Sequence, residues 1–289
     1  MAEVSLPGTT ALSLDGPSGA YRIFLSVPAV PPPPGGFPLL VLLDANLCFG
    51  TVSDLLRQGG FRPGVSRLCP AIVAGIAYPT DQPLDRARRS LDYTPGPSVE
   101  GPGRGAPSGP PPNGGRDAFL AFLLERVKPL VAARHPLDPA RQAIIGHSLA
   151  GFFALDVLAQ DPASFSGYLA ISPSVWWDRA RLMAGLESRK GDGLAPRAWI
   201  GVGEWEEALA PWESALPDHE ATARRRASRA MVGNARDMAE TIARRFGPAA
   251  RVEFECLPRE THISAVPVAL SHGLRFLLGP EGFGGPDGG

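Results

Sequence analysis

A serine set between a strand-like and a helix-like segment carries the clearest chemical signal in this sequence. The segment Gln142–Leu155 reads QAIIGHSLAGFFAL, an apolar run that leads into a turn of small residues and then into an apolar helical pattern. In a nucleophile elbow, small residues two positions before and after the serine let strand and helix pass closely. Gly146 and Ala150 hold those positions, with alanine replacing the usual second glycine. The pattern favours Ser148 as a nucleophile over a serine that only caps the helix.

A nucleophilic serine needs a general base within hydrogen-bond reach, and the base needs an orienting partner. Among the five histidines, His262 lies in a loop between the last predicted strand and the last predicted helix. An α/β hydrolase carries its base there, after the nucleophile and the acid in chain order, so we predict His262 as the base. We expect His147 to pack beneath the site, since neighbouring residues of an elbow point in different directions. Structural roles are also expected for His135, His219 and His272.

The acid that orients the histidine should follow the strand predicted at Arg197–Gly203. Glu204, Glu206 and Glu207 all qualify by position. Glu206 is favoured because it lies far enough past the strand end for its carboxylate to turn back toward the histidine. Glu204 is the alternative, and a carboxylate here could also merely cap the next segment.

Acyl transfer also needs two N–H donors aimed at the developing oxyanion, each contributing about 3 to 4 kcal/mol in the transition state. The amide of Leu149, directly after the predicted nucleophile, is the first candidate. The second should come from the loop after the strand predicted at Pro38–Asp44, where we select the backbone amide of Asn46.

Strand-like and helix-like segments alternate along the chain. The remaining predicted strands are Tyr21–Val27, Ala71–Tyr78, a strand ending at the elbow, Gly167–Ser172 and Arg251–Leu257. One predicted helix follows the elbow, and the others span Asp117–His135, Thr222–Phe246 and Val266–Leu278. Pro129 is expected to kink or split the first of these three. This alternation predicts an α/β-hydrolase fold, with a mostly parallel sheet covered by helices on both faces, in one domain over residues 1–289. Residues 96–115 are predicted to be a flexible Pro/Gly-rich loop and residues 279–289 a frayed tail.

Composition narrows the classes of partner and location. A net charge of -1 and a pI near 6.5 give no reason to expect nucleic acid or a membrane surface as a partner. The cysteines Cys48, Cys69 and Cys256 are widely spaced and indicate buried thiols rather than a disulfide framework or a metal site. The chain has neither a leader pattern nor the roughly 18 consecutive apolar residues that a membrane span needs. We expect a cytoplasmic monomer or homodimer that acts on a small-molecule ester without a cofactor or metal.

A set of motifs resembles the esterase D-like branch of the α/β hydrolases, and within it the esterases that act on enterobactin-type siderophore trilactones. The motifs are VLLDAN (41–46), RRSLDYTP (88–95), GGRDAFLAFL (114–123), IIGHSLAGFFAL (144–155), ISPSVWW (171–177), VGEWE (202–206) and ETHIS (260–264). The resemblance implies Ser148 as nucleophile, His262 as base and Glu206 as acid, although some siderophore esterases use a Ser-His pair. It also implies Asn46 and Leu149 as donors of the oxyanion amides.

Several residues are candidate contacts for such a substrate. The candidates to meet an anionic catecholate are Arg88, Arg89 and Arg224–Arg226, and the candidates to stack on its ring are Trp176, Trp177 and Trp205. The alternative is that the tryptophans fill gaps in the core or loops, and a pocket role is favoured for Trp176. Arg224–Arg226 is interpreted as a solvated helix face. Alternative functions are a feruloyl or acetyl esterase, an acyltransferase, and a non-catalytic binding protein that keeps the fold.

Overall fold

The computed structural model describes residues 5–98, 112–188 and 193–279. Its strands are β1 (Thr9–Gly16), β2 (Gly19–Ser26), β3 (Phe37–Leu42), β4 (Ile72–Ala77), β5 (Leu137–His147), β6 (Gly167–Ile171), β7 (Arg197–Gly203) and β8 (Arg251–Leu257). They form an eight-stranded sheet in the order β1-β2-β4-β3-β5-β6-β7-β8. β2 runs antiparallel to both of its neighbours, and all other pairs are parallel. The mostly parallel sheet confirms the predicted α/β-hydrolase architecture.

Helices cover both faces of this sheet. They are α1 (Ala45–Gly59), α2 (Pro63–Ser66), α3 (Arg86–Tyr93), α4 (Arg116–Phe122), α5 (Lys128–Ala132), α6 (Leu149–Gln160), α7 (Arg179–Glu187), α8 (His219–Arg229), α9 (Met231–Phe246) and α10 (Ala265–Leu278). None of the described helices combines the length and apolar character that crossing a lipid bilayer requires.

The central strands are buried on both faces, which explains their continuous apolar sequences. Every residue of β3, β4, β6 and β7 is buried. Side chains alternate between the faces, so that Leu40 and Leu42 pack in the layer that contains α1 and α10. Leu39 and Val41 pack in the layer that contains α4, α6, α7 and α9. The apolar core therefore lies in two layers with the sheet between them.

One helical prediction needs correction, and another is refined by the structure. The segment predicted as one helix at Thr222–Phe246 forms α8 and α9, which are separated at Ala230, where φ is 42°. The segment Asp117–His135 forms α4 and α5 with a π-helical stretch, Leu123–Val127, between them. Pro129 lies two residues beyond this stretch and has no N–H to donate, so the helix departs from its regular hydrogen bonding just before the proline.

β1 was not predicted. The other strands match their predicted positions to within a few residues, except that β5 is longer than predicted. β1 and β2 form a two-stranded antiparallel ribbon in which Gly16 pairs with Gly19. β1 lies at the sheet edge and is only partly buried, so its sequence lacks the continuous apolar run that marks the central strands. Of the predicted loop and tail, residues 99–111 and 280–289 lie outside the described residues.

The parallel strands bring distant parts of the chain to one edge of the sheet. β3 ends just before Asp44, β5 just before Ser148 and β7 just before Glu204. β8 ends at Leu257, a few residues before His262. In open α/β sheets, ligands bind beyond the carboxyl ends of the strands, and all the sequence-predicted catalytic residues lie at this edge.

Candidate active site

The elbow holds Ser148 in a backbone conformation that residues other than glycine rarely adopt, with φ of 60° and ψ of -116°. A methyl group on Gly146 would overlap the backbone carbonyl of Ala150, so only glycine fits there. The Ser148 side chain makes no hydrogen bond that caps α6. Ser148 therefore does not act as a helix cap in this structure, and its hydroxyl is available for other contacts.

Glu206 and His262 form a direct contact at the carboxyl edge of the sheet. The Nδ1 atom of His262 lies 2.5 Å from Oε2 of Glu206, whose side chain is buried. The other carboxylate oxygen, Oε1, accepts hydrogen bonds from the Ser172 hydroxyl at 2.5 Å and from the Gly203 N–H at 2.7 Å. The carboxylate is thus held by donors at the ends of two neighbouring strands, Ser172 after β6 and Gly203 in β7, while it contacts the imidazole.

The neighbouring glutamates have other partners. Glu204 accepts a hydrogen bond from the backbone N–H of Arg259 at 2.7 Å. Glu207 accepts one from the N–H of Gly233 in α9 at 2.9 Å. Of the three glutamates, Glu206 is therefore the one whose carboxylate contacts His262.

His147 is buried directly beneath the predicted base, as expected for a packing residue. Its Nε2 lies 2.9 Å from the backbone carbonyl oxygen of His262, and the two rings lie 4.6 Å apart, centroid to centroid. Burial, together with the nearby charge of His262, lowers the pKa of His147 to about 3. The neutral ring donates its Nε2–H to the carbonyl and so ties the elbow to the loop that carries His262. Sequence reasoning missed this bond because its acceptor is a backbone atom.

The Ser148 hydroxyl has a neighbour that sequence reasoning also missed. Its Oγ lies 3.3 Å from Oγ of the buried Ser174, whose N–H donates to the Ser148 carbonyl at 3.0 Å. Within the described ranges, no hydrogen bond joins Ser148 Oγ to His262. Contacts between nucleophile and base are often long in unliganded enzymes and shorten when substrate binds.

The two residues predicted to donate to the oxyanion lie at helix N-termini. Leu149 is the first residue of α6 and Asn46 the second residue of α1, positions whose N–H groups have no partner within their helix. These helices follow the adjacent strands β5 and β3. The Asn46 side chain is used elsewhere, because it exchanges hydrogen bonds with the backbone of Tyr78 and donates to the Thr80 carbonyl.

The candidate substrate contacts have partners within the protein. Arg89 donates from Nη2 to Oδ2 of the buried Asp44 at 2.7 Å, so its guanidinium is already engaged in an ion pair. Trp176 stands two residues beyond Ser174, and Cζ of Arg229 lies 4.1 Å from its ring centroid. Their contacts with a substrate stay predictions. Arg224 forms an exposed pair with Glu220, in keeping with a solvated helix face.

Comparison with known proteins shows the family of the chain. The family model described as "Putative esterase" matches residues 70–239. The ferri-bacillibactin esterase of Bacillus subtilis is 34% identical over 286 residues, which cover 96% of this chain and 92% of that protein. A siderophore triacetylfusarinine C esterase of Aspergillus fumigatus is 34% identical over 84% of this chain and 82% of its own length. A siderophore hydrolase of Aspergillus nidulans superposes with a TM-score of 0.80 at 27% identity, over 96% of this chain and 97% of that one. The chain therefore belongs to this esterase family and is a carboxylic ester hydrolase with the α/β-hydrolase fold.

Proposed function

We propose that the chain hydrolyses esters through an acyl-enzyme formed on Ser148, with His262 as general base and Glu206 as its orienting acid. The observation that carries the proposal is the 2.5 Å contact between Glu206 and His262 at the edge where the strained elbow presents Ser148. A carboxylate on Nδ1 holds the proton there and leaves Nε2 free to accept the serine proton.

The reaction then takes two steps. Ser148 Oγ attacks the ester carbonyl while its proton passes to Nε2 of His262, and the carbonyl electrons move onto the oxygen near the amides of Leu149 and Asn46. Collapse of this intermediate expels the alcohol, which takes the proton from His262, and leaves the acyl group on Ser148. A water molecule, deprotonated by the same imidazole, then releases the acid and restores the serine.

For the substrate we infer a siderophore ester, because the relatives reported above are named for siderophores. Arg229 supports an anionic aromatic acyl group such as a catecholate. Burial and the neighbouring charge of Arg225 lower the pKa of Arg229, and no carboxylate of the described residues pairs with it. A guanidinium beside the Trp176 ring offers an anionic ring both a charge and a stacking surface.

The test of the mechanism is hydrolysis of p-nitrophenyl acetate by Ser148→Ala, His262→Ala and Glu206→Gln. Ser148→Ala should lower kcat by at least about 10⁴-fold, because the nucleophile is lost. Ser164→Ala is the matched control, since Ser164 lies past the far end of α6. A fluorophosphonate probe should label Ser148 in the wild type and not in His262→Ala. Retained turnover in Ser148→Ala, or equal labelling without the histidine, would refute the mechanism.

The substrate class has a separate test. Ferric and iron-free siderophore trilactones are compared with feruloyl and acetyl esters as substrates of the wild-type enzyme. We expect the highest kcat/KM for a trilactone. A higher value for a feruloyl or acetyl ester would overturn the substrate proposal and leave the serine mechanism intact.

A further inference from the structure

A buried polar cluster lies beneath the turn that leads from β3 into α1. Asp44 occupies the residue before α1 with φ of 49° and ψ of 43°, a left-handed conformation for a residue other than glycine. It stands where a carboxylate would normally cap the helix, yet its side chain makes no capping hydrogen bond. The carboxylate is directed to α3, and the helix N–H groups remain uncapped.

Tyr93 closes a hydrogen-bonded ring on Asp44. Its hydroxyl accepts the Asp44 N–H at 3.3 Å and donates to Asp44 Oδ1 at 3.1 Å. The ring of Tyr93 is fully buried, and burial together with the Asp44 charge raises the pKa of Tyr93 well above its usual value, so the hydroxyl stays a donor. The Tyr93 hydroxyl is thereby hydrogen-bonded to both the backbone and the side chain of Asp44.

Arg89 holds the same carboxylate from another side. Its Nε and Nη2 donate to Asp44 Oδ2 at 3.1 Å and 2.7 Å, a two-pronged contact that lysine cannot reproduce. Two residues further on, Asn46 is fixed to the end of β4, where its Oδ1 accepts the Tyr78 N–H at 2.8 Å. The turn between Asp44 and Asn46 is thus held at both of its ends.

We propose that Tyr93 and Arg89 are positioning residues that hold Asp44 in its left-handed conformation and so aim the Asn46 amide at the oxyanion. This inference rests on the proposed serine mechanism. The direction of an amide early in a helix depends on the dihedral angles of the residue before the helix. If Asp44 relaxed to an ordinary negative φ, the amides of the first turn would swing away from the nucleophile. Neither Tyr93 nor Arg89 needs to touch the substrate for this effect.

Tyr93→Phe removes both hydrogen bonds to Asp44 and keeps the buried ring. We expect kcat for p-nitrophenyl acetate to fall by about 10- to 100-fold, with KM within about twofold, because a misplaced oxyanion donor costs transition-state stabilisation and little ground-state binding. Tyr21→Phe is the matched control: Tyr21 is equally buried, and its hydroxyl donates to Asp92 at 2.7 Å and does not contact Asp44. It should leave kcat near the wild-type value.

A thionoester separates positioning from a general structural effect. Sulfur is larger than oxygen and a weaker hydrogen-bond acceptor, so p-nitrophenyl thionoacetate gains less from a well-aimed oxyanion site. Misaiming should therefore lower the ratio of oxo-ester to thionoester kcat in Tyr93→Phe, whereas partial unfolding would lower both rates equally. The ratio in Tyr21→Phe should match the wild type.

Arg89→Lys gives an independent variant should Tyr93→Phe fold poorly in thermal melts. A positioning role predicts lower kcat and a lower oxo-to-thiono ratio with this neutral ester. An unchanged kcat and an unchanged oxo-to-thiono ratio in Arg89→Lys would overturn the inference. A rise only in KM for anionic esters would also overturn it and would favour direct contact between Arg89 and the substrate. Loss of activity in Ser148→Ala together with wild-type behaviour of Tyr93→Phe and Arg89→Lys would reject this inference alone. Activity that survives in Ser148→Ala would reject the serine mechanism itself.

Discussion

At the scale of single residues, the elbow shows why one of its two small positions tolerates a methyl group. A side chain at Gly146 would meet the backbone carbonyl of Ala150, and backbone atoms here cannot move without displacing the helix. The Ala150 methyl is itself fully buried in the core without disturbing the elbow. The glycine pattern of the motif is therefore a backbone requirement at its first position and a packing preference at its second.

His147 should make the stability of the protein depend on pH. Its pKa is about 3 in the folded chain, below the usual value of about 6.5 expected when unfolded. Between these pH values the unfolded chain binds a proton that the folded chain excludes, so stability falls as pH falls through this window and is unaffected above it. From pH 7 to pH 5 the loss from this group should be about 2 kcal/mol.

His147→Gln is the variant that isolates this effect, since an amide nitrogen can still donate to the His262 carbonyl and does not titrate. Urea unfolding at pH 7 and pH 5 should show a smaller loss of stability in His147→Gln than in the wild type. Equal losses in the two proteins would show that His147 is not the group responsible.

The site residues that could be predicted are those whose side-chain chemistry and place in the sequence match a proposed catalytic role. Ser148 and His262 could be proposed from motif and chain order, whereas three glutamates fitted the acid by position, and only the structure shows Glu206 in contact with His262. His147 and Ser172 could not be selected in this way. One bonds a backbone carbonyl and the other bonds a carboxylate from a different strand, and neither pairing leaves a pattern in the sequence.

At the scale of elements, the break between α8 and α9 follows from what each helix buries. α8 buries only Thr222, whereas α9 buries a stripe that includes Met231, Met238 and Ile242. Helix-forming residues run through the break at Ala230, so local preference alone predicted one continuous helix. The chain changes direction between α8 and α9 because α9 packs against the sheet. By contrast, strands buried on both faces have continuous apolar sequences, and this is why most of the sheet was predictable.

Ala230→Gly should stabilise the protein by about 0.5 to 1 kcal/mol, because glycine adopts the left-handed conformation of this residue without the steric cost that alanine incurs. Ala227→Gly, on the exposed side of α8, is the matched control and should destabilise by about 1 kcal/mol. Thermal unfolding of both variants measures the difference. A lower melting temperature for Ala230→Gly would contradict the left-handed break.

At the scale of the whole molecule, the sheet assembles one site from residues far apart in sequence. Asp44, Ser148, Glu206 and His262 come from four different connections, and parallel strand order alone places them at one edge. This convergence was predictable from the alternation of strands and helices. The preference for one ester over another was not predictable. It depends on side chains around the site, and tertiary packing sets their positions. The net charge of -1 gives no general attraction for an anion, so recognition of one must be local.

Arg229 is where we expect that local recognition. Arg229→Gln should raise KM for p-nitrophenyl hemisuccinate, which carries an anionic acyl group, by about 3- to 10-fold, the range expected when a partly desolvated charge contact is lost. KM for the neutral p-nitrophenyl butyrate should be unchanged. Arg224→Gln, whose arginine is exposed and paired with Glu220, is the matched control and should alter neither value. Equal changes in KM for the two esters would show that Arg229 affects substrate binding without recognising the charge. An unchanged KM for both esters would show that Arg229 does not take part in substrate recognition.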